Sequence, residues 1–481
     1  MVRPTGIEPV TYGSVDRHSI QLSYGRTYMI VFHFPLLARR TERLAGRRGS
    51  KDAHKSVIIN LSMKTRADIS VIGGGAAGIV AGLSAARRLR ALGLEKSVMI
   101  LERNPVLGKK LSITGKGRAN VTNARTIDEF IEAFGSSGRF LYPAFRAFFS
   151  DDLRALLAEG GLELKTERGG RVFPVTDKAQ DVVQALGLLL VREHVVVSYA
   201  SRVRSLDLEA SGWRIGLDRG SSIACSAVIM STGGQSYPGT GSTGDGYPLL
   251  EHLGHHVNRL SPGLVSLHCS DEWLRELAGM SLEGVAVEAW ADSKLLDRRK
   301  GEVMITDRGL GGPAVLSLSL AVAPALAEGK NVILRLDLRP ERMADEVLRA
   351  LESSASADQI ALHMATFLPR RMVVVLMRLW GLEGKGKTPL PRKRLAAIAR
   401  SMKGVELTCT GADPLSSAII TQGGIPLQEV DPRSMASRLV PGLFIAGELL
   451  DLQAITGGYN LQAAFSTGFL AGKCAAEYVA K

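Results

Sequence analysis

Cysteine is scarce in this 481-residue chain: Cys225, Cys269, Cys409 and Cys474 stand far apart, with no C-x-x-C. That spacing argues against a disulfide framework, an iron–sulfur site or a redox dithiol. It fits a reducing, cytoplasmic compartment. Aromatic residues make up 5%, so interleaved rings that would stack nucleic-acid bases are not evident. No apolar run reaches the ~18 residues that a membrane-spanning helix needs. Residues 28–38, "YMIVFHFPLLA", are short, carry His33 and Pro35 and have no small-residue cleavage site behind them, which argues against a signal peptide. Acidic residues are outnumbered, 47 to 60, for a net charge of +13. Residues 1–62 hold ten of the basic and four of the acidic residues, leaving +7 on the rest. What is present is ordinary for a globular protein, 45% apolar and 22% charged, with length for two or three domains.

One stretch is far from ordinary. Residues 69–78, "ISVIGGGAAG", run an apolar strand straight into a glycine turn and a helix over roughly 76–92. Gly73 permits the tight turn, Gly75 lets backbone approach a pyrophosphate, and Gly78 lets the helix pack close to the strand. The helix points its positive end, from Ala76 and Ala77, at the phosphates. A second buried strand, "SVMILE", ends in Glu102, 24 residues beyond Gly78. That is near the spacing of the carboxylate that holds a ribose hydroxyl. No second G-x-G-x-x-G lies between a strand and a helix, so one dinucleotide is held tightly.

Residues 1–62 show no sustained period, and the first clean strand begins near Ala67. Their first 26 residues resemble the front of many unrelated reading frames that run through a neighbouring tRNA gene. The expected start is therefore Met63, and 1–62 is expected to be a disordered or spurious extension. Beyond the Rossmann turn, the polar loop 103–123, with Arg103, Lys110, Gly117, Asn120 and Thr122, is placed to wrap a cofactor. Residues 126–160 read as helical, and 169–186 as a short strand and an amphipathic helix. Residues 195–230 read as a β-meander carrying Val203. The loop 231–247, "STGGQSYPGTGSTGDGY", follows an apolar strand, so backbone at Gly233 can approach a phosphate or a flavin edge. Residues 260–340, including "GEVMITDRGLGGPAVLSLS", read mostly as strands, and 341–405 as helices.

A second glycine-rich strand–turn–helix lies about 370 residues downstream, at Gly447, Glu448, Gly457, Gly458, Tyr459 and Asn460. A nicotinamide dehydrogenase keeps its binding elements in one continuous half. FAD is longer: its adenosine end needs the first motif, and its ribityl and ring end needs another. Glu448 can take ribityl hydroxyls, and the helix start near Leu461 can face N1 and O2 of the ring.

With these residues in view, the chain resembles the BaiN/RdsA-like (aminoacetone oxidase-like) family of NAD(P)/FAD-dependent oxidoreductases. The matching stretches include "GGGAAG", "LGKKLSITGKGRANVTN", "GRVFPVTDKAQDVV", "STGGQSYPGTGSTGDGY" and "GLFIAGELLDLQAITGGYNLQAAFSTG". The resemblance implies an α/β fold: a Rossmann-like FAD-binding domain with an inserted mixed β-barrel-like and helical domain. The parts are the FAD domain at 63–257 and 416–481, and a substrate domain at 258–415. It also implies FAD contacts at Gly73, Gly75, Gly78, Glu102, Lys110, Asn120, Val203, Gly447, Glu448 and the turn 458–460. Two positions depart from the family. Ala119 stands where a cysteine is common, and Asp307 where a histidine is common.

FAD with NAD(P)H as transient donor suits reduction of a C=C conjugated to a carbonyl, with an acid protonating the α carbon. Uridine in ribosomal RNA (giving dihydrouridine) poses that problem, and so does a small enone. RNA is the preferred expectation for a bacterial-looking chain. The basic run Lys385, Lys387, Arg392, Lys393 and Arg394 is compatible with phosphate contact. A small enone or amine is the alternative substrate, and a non-enzymatic flavin-holding protein a third reading. Tyr237, Asp307 and Tyr459 lie in motifs near the expected ring site, but no catalytic residue is assigned. No metal site and no membrane partner are expected.

Overall fold

The computed structural model describes residues 65–481, apart from 219 and 354–355. Before them it describes the backbone of three short strands, Ser19–Tyr24, Thr27–Phe32 and Val57–Ile58, paired antiparallel. The expectation for 1–62 as an extension otherwise lies outside the described residues. Residues Ala67–Lys481 form a unit of their own.

Every residue of Ile69–Ile72 is buried, as are those of Val98–Leu101 and Ala227–Met230. Strands buried on both faces belong in a parallel sheet covered by helices. The sheet runs in the order Leu443–Ile445, Ala227–Met230, Ile69–Ile72, Val98–Leu101, Val196–Ser198, all parallel. The expected meander is therefore smaller than read. Its hairpins are Val203–Glu209, Gly212–Leu217 and Ser222–Cys225, while 196–198 and 227–230 join the central sheet. Both patterns are short apolar runs, and periodicity alone does not separate a parallel partner from a hairpin.

Two helices hold the ends of the chain together. The helix Ala76–Ala91 follows the first strand, and Tyr459–Val479 closes the chain. They meet backbone to backbone: a Cβ on Gly468 would lie 2.2 Å from the Ala77 carbonyl oxygen, and one on Gly472 2.1 Å from that of Ala81. Residues 447–460 are thus anchored beside the first glycine turn.

The insert is a closed antiparallel barrel with a helical cap. Its six strands run Leu267–Cys269, Gly309–Gly311, Lys294–Ile305, Ser281–Ala291, Val332–Asp337, Val405–Ala412 and back to the first. Among the described residues, four helices, from Ala344–Glu352 to Arg392–Met402, lie between Val332–Asp337 and Val405–Ala412. The segments entering and leaving the insert, Asn258–Gly263 and Ile420–Gly424, pair with each other. One expectation fails here. Residues 312–327, read within a strand-rich stretch, form the helix Gly312–Ala327. The alternation "LSLSL" mimics a strand, but Pro313 sits in the first turn, where its fixed φ favours a helix.

All four cysteines are free thiols, as their spacing leads one to expect, but two of them are neighbours in the barrel. Cys269 and Cys409, separated by most of the insert, are direct partners on neighbouring strands. Among the described residues, no helix is long and apolar enough to cross a membrane.

Candidate functional site

The glycine turn adopts the geometry its sequence calls for. Gly73 has φ +103°, and a Cβ there would lie 2.5 Å from the Ser231 carbonyl oxygen. Gly78 presses against the turn, with a hypothetical Cβ 1.8 Å from the Gly73 oxygen. At Gly75 a Cβ would meet nothing within 4 Å: this glycine faces open space. Gly75 is also the N-cap of the helix, with no side-chain cap and no acid in the first turn. The helix's positive end is therefore left to an outside anion.

Residues 73–77 line a cleft that reaches both ends of the chain. Glu102, 6% exposed, lies in it. Its Oε2 accepts from the Gly74 N–H at 2.7 Å, and its Oε1 from the Asn104 backbone N–H at 2.7 Å and Nδ2 at 2.8 Å. Beside it, Arg103 and Arg202 both bond Asp245, at 2.9 and 2.7 Å. Burial raises the Asp245 carboxyl, but Arg202, Thr243 and Arg103 outweigh it and hold the group below its ordinary range. Val203 and Gly233 line the cleft as well.

The far end is built from the other terminus. Gly447, with φ +75°, turns the chain so that Glu448 enters the cleft. Lys110 Nζ reaches Glu448 Oε2 at 2.7 Å and Ser236 Oγ at 2.6 Å. Glu448 Oε1 accepts from the Thr421 N–H at 2.9 Å and from Ser236 Oγ at 3.1 Å. Gly457, Gly458, Asn460 and Leu461 carry the cleft to the start of the C-terminal helix. Asn123 Nδ2 pins the turn through the Gly457 carbonyl at 2.9 Å. Asn120, beside that turn, lines the cleft as well. Where the insert meets this end, the wall is aliphatic: Leu264, Ile419, Ile420 and Leu452.

Four expected contact residues do not line the cleft. Gly78 acts through helix packing. Gly117 (φ +83°) and Thr122 (fully buried) belong to the loop that frames it. Tyr459 is buried against Phe130, with ring centroids 4.7 Å apart. Burial pushes its phenol above the ordinary range, making it a weaker acid. Asp307 is exposed at the barrel, in a separate pocket with His268, Asp271 and Arg275. Tyr237 is 38% exposed and does not line the cleft either. None of the three motif residues near the expected ring site reaches it. Sequence reading missed Arg202, Asp245, Ser236 and Thr421. The two in the 231–247 loop lay inside a motif already singled out; Thr421 had no local signal.

The family model described as the HI0933-like protein Rossmann domain matches residues 67–474. The chain is 33% identical over 85% of its length to 99% of a 3-dehydro-bile acid delta(4,6)-reductase from Clostridium scindens. It is 28% identical over 86% of its length to 98% of a ribosomal RNA dihydrouridine synthase from Escherichia coli. Among solved structures, a 3-ketosteroid delta1-dehydrogenase from Sterolibacterium denitrificans aligns at TM-score 0.48 and 13% identity, covering 86% of this chain and 100% of that one.

Proposed function

From its membership of the HI0933-like Rossmann family, in which the chain is an oxidoreductase, we propose that the cleft holds FAD and that NAD(P)H drives reduction of a conjugated C=C. One observation carries this reading. A single cleft joins the uncapped glycine turn and Glu102 to Glu448 and the start of the C-terminal helix. The donor set fits an extended dinucleotide: an open glycine for the pyrophosphate, one buried carboxylate for a ribose, a second for ribityl hydroxyls. Bound there, FAD would supply hydride transfer from NAD(P)H to the carbon β to a carbonyl.

The protein's own groups bind and orient. Glu102 is fixed by three N–H donors and keeps lone pairs for ribose hydroxyls. Lys110 and the Thr421 N–H fix Glu448 in the same way. The positive end of the 21-residue C-terminal helix favours negative charge on a ring placed against Asn460 and Leu461. Glu102→Gln tests the first of these roles. The amide would turn a donor toward an existing N–H, at a cost of about 1–3 kcal/mol. Fluorescence titration is expected to show FAD binding weakened roughly tenfold or more. Parental affinity in the variant would remove Glu102 from the site.

The aliphatic wall of Leu264, Ile419, Ile420 and Leu452 supports a compact, apolar enone as substrate. The bile-acid reductase relative supports it too. The ribosomal RNA dihydrouridine synthase relatives support the second reading, uridine in ribosomal RNA. Part of the basic run has internal partners: Arg392 bonds Glu352, and Arg394 the Trp380 carbonyl. Two assays separate these substrates. Enone-dependent oxidation of NAD(P)H by the purified protein, with unchanged dihydrouridine in the ribosomal RNA of a deletion strain, is expected. Loss of a dihydrouridine without turnover of any cyclic enone would reverse the choice.

A further inference from the structure

Cys269 and Cys409 stand opposite each other where the barrel closes on itself. The neighbouring Ser270 N–H donates to the Thr408 carbonyl at 3.1 Å. The cysteines thus form the adjacent pair without ladder bonds, beside the bulge between His268 and Cys269. Directly paired antiparallel residues bring their Cα atoms to about 4.5–5.5 Å, and a disulfide spans about 4.4–6.8 Å. Both are free thiols. Cys409 is 5% exposed and faces the barrel core, while Cys269 is half-buried and lines the pocket that contains His268, Asp271, Asp307 and Arg308.

We propose that Cys269 and Cys409 are a dithiol that hydrogen peroxide can close into a disulfide, tying the entry of the insert to its exit. Cys269 comes six residues after the entering segment Asn258–Gly263, and Cys409 precedes the leaving segment Ile420–Gly424. The oxidant is hydrogen peroxide. The pocket-facing Cys269 thiolate attacks one peroxide oxygen, giving a sulfenic acid and releasing hydroxide, which takes up a proton. The Cys409 thiolate then attacks the Cys269 sulfur, the S–S bond forms and the hydroxyl leaves as water. In total, two thiols lose two electrons and two protons, and one peroxide becomes two waters. The bond closes a loop around most of the insert. Long loops of this kind restrict the unfolded chain most.

Burial pushes both thiols above their ordinary range, Cys409 to about 11. Oxidation should therefore be slow at neutral pH and quicken about tenfold per pH unit as the thiolate fraction rises. Cys225 and Cys474, in other elements, have no such partner and serve as internal controls.

The full-length protein, as purified, is treated with hydrogen peroxide at pH 7 and pH 8, alkylated, digested and analysed by mass spectrometry. Thiols are counted in denaturant in parallel. The expected result is a peptide pair linked through Cys269 and Cys409, loss of two of four thiols, and faster loss at pH 8. The unfolding midpoint should rise by at least about 5 °C, reversibly with dithiothreitol. Cys269→Ser and Cys409→Ser should abolish the linked pair. The double variant C225S/C474S, which leaves the barrel untouched, should still form it. Four surviving thiols, unlinked sulfinic acids, or cross-links only between chains would overturn the proposal. None of these readouts depends on FAD or on turnover.

Discussion

Gly75→Asp is expected to give a protein that folds at least as well as the parent and binds FAD at least about 100-fold more weakly. The two effects have opposite signs for one reason. Gly75 is the N-cap of Ala76–Ala91, in extended conformation, with no side-chain cap and empty space where its Cβ would be. Aspartate is a preferred N-cap, and its carboxylate complements the helix dipole, so the apoprotein should gain about 0.3–1 kcal/mol. The same carboxylate would occupy the place assigned to the pyrophosphate and repel it at close range. A hundredfold loss corresponds to about 2.7 kcal/mol. Thermal melts of the two apoproteins and a fluorescence titration with FAD measure both signs. Affinity within threefold of the parent would show that no phosphate sits at this turn.

Gly468→Val should act in the opposite place, on the scaffold. Its Cβ would fall 2.2 Å from the Ala77 carbonyl oxygen, and backbone does not yield as a flexible side chain does. The two helices must separate, at an expected cost of about 3 kcal/mol. Because Ala77 lines the cleft, FAD retention should fall with stability. Gly187→Ala is the contrasting control. Gly187 lies within Ala179–Arg192, and its Cβ would meet nothing within 4 Å. That substitution should stabilise by about 0.5–1 kcal/mol. Urea unfolding of the three proteins compares them. A Gly468→Val midpoint equal to the parent's would mean the helices do not meet as described.

The turn 73–78 and Glu102 were legible because a strand, a glycine spacing and a carboxylate follow one another locally. The element at 447–460 was legible as a second turn. That it lies beside the first depends on Leu443–Ile445 pairing with Ala227–Met230, and on Gly468 and Gly472 packing on Ala77 and Ala81. Such long-range contacts leave only faint traces in a single sequence. Thr421 holds Glu448 through its backbone N–H and accepts from the Gln235 and Ser236 N–H groups through its hydroxyl, partners about 185 residues away that no local pattern announces. The helix 312–327 was hidden by serine–leucine alternation. The partnership of Cys269 with Cys409 was hidden by sequence distance, which says nothing of strand register.

We propose that one cleft, assembled from both ends of the chain, holds FAD for NAD(P)H-driven reduction of a conjugated double bond. Its most direct test is the absorption spectrum of the purified protein under anaerobic conditions. Flavin bands that bleach on addition of NADH or NADPH and return on addition of a cyclic enone are expected. A protein that takes up no FAD, or whose flavin neither nicotinamide bleaches, would contradict it.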